Sequence, residues 1–114
     1  MSLSFNSSVS GIRAAIDMLS VSAHNTANIN TDGYKKQRVN LRENHDGGVI
    51  VDITESTERG SLYKNKRGDM SETSNVNYIE EIVEQINVRH LLSANAATIK
   101  RTDEALESFT NIIV

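Results

Sequence analysis

The side chains able to carry out chemistry are His24, His45 and His90, the acidic run Glu80, Glu81 and Glu84, and the serines at 7, 8, 10, 20 and 22. A metal site needs several ligands that converge. None of the histidines has another histidine or a carboxylate four residues away on the same helical face. The three glutamates open a helical pattern, where negative charge is favoured by the helix dipole. The serines share a helical face with no base nearby. Gly47-Gly48 is a turn pair, since no Gly-Lys-Ser/Thr follows it to make a phosphate loop. These residues predict no catalytic, cofactor-binding or metal-binding residues, and a chain that is not an enzyme.

Composition points the same way. The chain has 114 residues, 4% aromatic, with no Trp, no Cys and no Pro. So few large aromatics are thin filling for a compact globule, but they suit long helices that each bury one stripe. A net charge of −3 gives no bulk electrostatic attraction for nucleic acid. Lys35, Lys36, Arg38 and Arg42, and again Lys64, Lys66 and Arg67, read as solvated faces of loops and strands. No run of apolar residues is long enough to insert in a membrane. The first residues lack the basic and apolar pattern of a cleaved secretory signal, so none is expected.

The elements that would position these residues follow from periodicity. Phe5, Val9, Ile12, Ile16, Leu19 and Ala23 recur at alternating steps of four and three, the spacing of a coiled-coil seam. They predict an N-terminal helix over 5–29. Asp32-Gly33 follows as a turn in which Gly takes φ > 0. Val39 and Leu41, and then Val49, Val51 and Ile53, alternate about Asn44–Gly48, and Leu62-Tyr63 follows a second turn. An antiparallel β meander of two or three strands is expected over 38–68, then a linker over 69–76. Asn77 with Glu80 resembles a capping box and opens a C-terminal helix over 77–113. Ile79, Val83 and Ile86 form one stripe of that helix. Leu92, Ala96, Ile99, Leu106, Phe109 and Ile113 form a second. The expected fold is mainly α: long terminal helices packed as a coiled-coil-like hairpin, with a short antiparallel β insertion, in one domain. Helix packing and assembly are assigned to Ile12, Ile16, Leu19, Ala23, Leu92, Ala96, Ile99, Leu106 and Phe109.

The asparagines between Asn25 and Asn30 exceed what one helix end needs. Asn bonds readily to nearby backbone groups, so they are expected to lock a loop or touch a neighbour. The segment Ala23-His24-Asn25-Thr26-Ala27-Asn28-Ile29-Asn30-Thr31-Asp32-Gly33-Tyr34-Lys35 resembles the stretch that follows the first helix in bacterial flagellar rod and hook proteins. Ser74-Asn75-Val76-Asn77, Glu80-Glu81-Ile82, Ala94-Asn95 and Thr102-Asp103 resemble that family's C-terminal pattern. The motif positions are Asn25, Ala27, Asn28, Asn30, Thr31, Gly33, Tyr34, Ser74, Asn75, Val76 and Asn95. The likeness covers positions 1–36 and 75–114 and is strongest to a short proximal rod protein. Thr26 and His24 depart from the usual Ile or Leu and Asn, and the middle is short for the family.

The resemblance implies a structural subunit of the flagellar basal-body rod. Such a subunit would be exported by the flagellar type III apparatus without a cleaved signal peptide and assembled in the periplasmic rod. Its partners would be other rod subunits and copies of itself. A cytoplasmic helical adaptor forming a discrete dimer through the same stripes is the competing expectation.

Overall fold

The computed structural model describes residues 2–113, with side chains from Phe5 onward. Helix α1 spans Ser2–Ala27, strands β1 to β4 span Gln37–Glu43, Val49–Glu55, Leu62–Lys64 and Met70–Glu72, and helix α2 spans Tyr78–Ile113. The protein is mainly helical with a small antiparallel β region, as its periodicities predict. With no proline to interrupt them, the helices run unbroken, and α2 alone is ~54 Å long. The molecule is accordingly a rod of 79 × 25 × 14 Å. Its radius of gyration is 20.1 Å, against ~13 Å for a compact chain of this size.

The helices pack antiparallel, Ser22 and Asn25 of α1 lying against Glu81 of α2, and Gly11 against Asn95. The face that α1 turns inward is not the predicted one. It carries Ser8, Gly11, Ala15, Ser22 and Asn25, all buried, with Met18 half-buried between them. This second heptad series has small residues at most positions. Small side chains let helix axes approach closely, and a methyl group on Gly11 would sit 2.5 Å from Asn95 Oδ1. On α2 the fully buried positions are Glu81 and Val88. Ile16, at 56% exposure, together with Phe5, Leu19 and Ala23, points away from α2. The apolar series keeps its periodicity, with Ile12 half-buried and Ile16, Leu19 and Ala23 exposed.

The β region also differs from the expected meander. It is two separate hairpins, β1 with β2 and β3 with β4. The segment expected to be a linker contains β4, whose Met70, Ser71 and Glu72 pair with Lys64, Tyr63 and Leu62. In the longer hairpin Val39 pairs with Ile53 and Leu41 with Val51. Its turn reaches the serine face of α1, where Val49 N donates to Ser10 Oγ at 3.2 Å. Ser10 thus docks a hairpin.

Helix α1 ends where Asn28 N is shared between His24 O and Asn25 O, while Asn28 Nδ2 also donates to His24 O at 2.9 Å. Gly33 then takes φ 71°, and its N–H donates to Glu72 O at 2.8 Å. A β-branched residue is strained in that conformation by ~1–3 kcal/mol. Gly33→Val should lower stability by about that amount although there is open space around the position. Denaturant titration of both proteins measures it, and an unchanged midpoint would refute the assignment.

Candidate functional site

At the closed end of the helical hairpin the two motif segments meet. Asn25 is 2% exposed, yet its amide is fully used. Oδ1 accepts from Gln37 N at 2.9 Å and from Tyr34 Oη at 2.9 Å, while Nδ2 donates to Gln37 O at 2.9 Å and to Glu81 Oε1 at 3.1 Å. The side-chain amide pairs with residue 37 as a strand would, so α1 is stitched to the start of β1. Burial and the Glu81 and Glu55 carboxylates raise the Tyr34 phenol above its ordinary pKa, keeping it a hydrogen-bond donor. Its ring meets that of His24 edge-on at 5.6 Å.

Asn75, from the other motif, repeats this device one residue earlier. Its Oδ1 accepts from Lys36 N at 2.6 Å, and its Nδ2 donates to Glu58 O at 2.9 Å. It thereby fills the open end of the β1–β2 ladder, beyond the Gln37–Glu55 pair. Asn77 Oδ1 caps α2 by accepting from Ile79 N at 3.0 Å. The return bond expected of Glu80 in a capping box goes elsewhere: its carboxylate lies 3.2 Å from Lys36 Nζ. Lys36, expected on a solvated face, is buried and is also 3.5 Å from Glu58. Buried charges are found paired, and this one has two partners.

The second hairpin is tied on by Glu72, which pairs with Lys35 Nζ and accepts from Gly60 N at 2.8 Å. The Lys35 hydrogen bond, followed by that of Gly60, holds the Glu72 carboxyl below its ordinary value of 4.5. A depressed folded-state pKa means a contribution that is present above the unfolded value and lost as pH falls through the folded one. Acidification from pH 4.5 downward should therefore loosen the attachment of the β3–β4 hairpin. Faster amide exchange at Gly60, absent in Glu72→Gln, is the expected readout. Retention of the pH response in that variant would overturn it.

Beside this polar knot lies an open cleft of about 380 Å³, lined by Asn25, Lys36, Arg38, Glu80, Glu81 and Glu84 among others. Among the described residues no three His, Asp or Glu side chains are grouped as metal ligands, and no helix is long and apolar enough to cross a membrane.

The residues expected to pack the helices are distributed otherwise. Ile12 and Ile99 are half-buried, while Ile16, Leu19, Ala23, Leu92, Ala96, Leu106 and Phe109 face outward. Ile79, Val83, Ile86, Ile112 and Ile113 are exposed with them. Of the motif residues, Asn25 and Asn75 are knot centres and Asn28 is a cap. Thr31 Oγ1 donates to Asn28 Oδ1 at 3.1 Å, and Ser74 Oγ accepts from Val76 N at 3.2 Å. Asn95 lies against Gly11, its Nδ2 donating to Leu91 O at 2.9 Å. Ala27 and Asn30 are exposed. Periodicity missed Glu81, Ser22 and Lys36. The heptad spacing of Ser8, Gly11, Ala15, Met18, Ser22 and Asn25 was the available signal.

No protein-family model matches the chain, and no curated protein shows significant similarity to it.

Proposed function

We propose that the chain is a structural subunit of the bacterial flagellar basal-body rod, assembling with itself and with other rod subunits through its terminal helices. The observation that carries this reading is the outward placement of the apolar stripes. The chain closes its own helix pair with small and polar residues around Val88, leaving Phe5, Ile16, Leu19, Ile79, Val83, Ile86 and Phe109 at the surface. Exposed apolar surface of this extent marks an interaction face. The two motif segments support the rod assignment in particular, because Asn25 and Asn75 grip Gln37, the first residue of β1, and Lys36 just before it. That arrangement presets the angle between the helices and the β region before assembly. On this reading export is by the flagellar type III apparatus, and the site of assembly is the periplasmic rod.

The test is deletion of the gene in its own host, followed by swimming assays and isolation of basal bodies from a complemented strain. Loss of swimming, with the tagged chain recovered in basal bodies, is expected. Normal swimming, with the chain recovered as a discrete cytoplasmic dimer, would overturn the reading in favour of an adaptor.

A further inference from the structure

The two ends of the rod differ in chemistry. Helix α2 accounts for ~54 Å of length in a molecule 79 Å long and only 25 Å wide. The β1–β2 hairpin lies along α1, so β3–β4 projects beyond the closed end of the helical hairpin. At its tip Lys64, Lys66 and Arg67 are exposed, and none forms an ion pair among the described residues. The tip is a defined structure. Asn65 Oδ1 accepts from Arg67 N at 2.9 Å and from Asp69 N at 3.0 Å, and Gly68 takes φ 87°. Exposed Leu62 and Met70 flank the cations.

The opposite end carries the complementary set. With Gly11 against Asn95, the antiparallel pairing leaves 104–113 of α2 beyond the described part of α1. That stretch presents Glu104 and Glu107, with Asp103 just before it, and Leu106, Phe109, Ile112 and Ile113, the last two at 82% and 70% exposure. Glu104 is 4.0 Å from Lys100 of its own helix, a weak exposed pair.

We infer that the basic β3–β4 tip of one copy seats on the acidic and apolar side chains of 103–113 of α2 in the next copy, joining them head to tail. Cations meet carboxylates, while Leu62 and Met70 cover part of the apolar surface. The two surfaces are different, so the contact is heterologous, and a rotation that does not close produces an open filament. This deepens the assembly reading by naming what covers the last described turns of α2, and it rests on that reading for treating them as an assembly surface.

The chain has no cysteine, which permits a clean crosslinking test on the purified full chain. Under oxidation, Lys66→Cys copies mixed with Glu107→Cys copies should form disulfide-linked dimers. The double variant should form a ladder, and a Lys66→Cys/Asp52→Cys control should not. In sedimentation, Lys64→Glu/Lys66→Glu/Arg67→Glu should weaken self-association by about tenfold or more, through like-charge juxtaposition. Mixing that protein with Glu104→Lys/Glu107→Lys copies should restore it, which a folding defect could not. Equal crosslinking in the control, no rescue on mixing, or no self-association at any concentration would overturn the contact; in the last case another protein covers the end. A deletion strain that swims sinks the rod reading alone. Absent crosslinks in a chain that enters basal bodies sink this contact alone.

Discussion

Asn25→Leu should destabilise the isolated protein by about 3–5 kcal/mol, the cost of leaving a buried charge and its neighbours without a partner. The substitution keeps side-chain volume but strips the Gln37 N–H and C=O, the Tyr34 hydroxyl and the Glu81 carboxylate of a shared partner. Glu81 is buried, and the substitution leaves its carboxylate only the neighbouring cleft from which to draw a new partner. Against a total stability of roughly 5–15 kcal/mol this loss is a large share, and a chain at the low end of the range would be brought close to its unfolding midpoint. Tyr34→Phe removes one donor and leaves Oδ1 bonded to Gln37 N, so it should cost only about 1 kcal/mol. Denaturant titration of the single and double variants gives the coupling directly, and the two losses should not add. An Asn25→Leu protein within about 1 kcal/mol of the parent would show that the knot does not hold the closed end.

Phe109→Asp and Ile16→Asp should have the opposite profile, unchanged folding and lost assembly. Both side chains are more than half exposed, so the isolated chain should lose only about half a kcal/mol, from helix propensity. In an assembled rod the same carboxylate would be buried without a partner, at several kcal/mol per contact. A strain lacking the gene, complemented with either variant and checked for expression and export, should not swim. Val88→Asp is the informative contrast. Val88 is buried between the helices, so this variant should fail at folding, before export matters. Swimming restored by both outward variants would remove the apolar stripes from the assembly surface.

What was legible in the sequence was whatever depends on near neighbours along the chain. The two helices, the turn at Gly33 and the alternation of Val39, Leu41, Val49, Val51 and Ile53 follow from local periodicity and backbone preference, and each sits where those rules put it. The asparagine excess at the end of α1 was legible as an oddity, and two of the three are used there as locks. Met70–Glu72 was not legible, because a three-residue strand exists only through its partner and through Glu72 binding Lys35 and Gly60. Nor was the face that α1 turns to α2. Periodicity reports that a helix has an apolar side, but not whether the chain itself or another molecule covers it. Tertiary structure decided that through the Asn25–Glu81 and Gly11–Asn95 contacts. These fix the rotation of α1 so that small residues close the pair, and Ile16 and Leu19 stay outside, where only a partner can bury them.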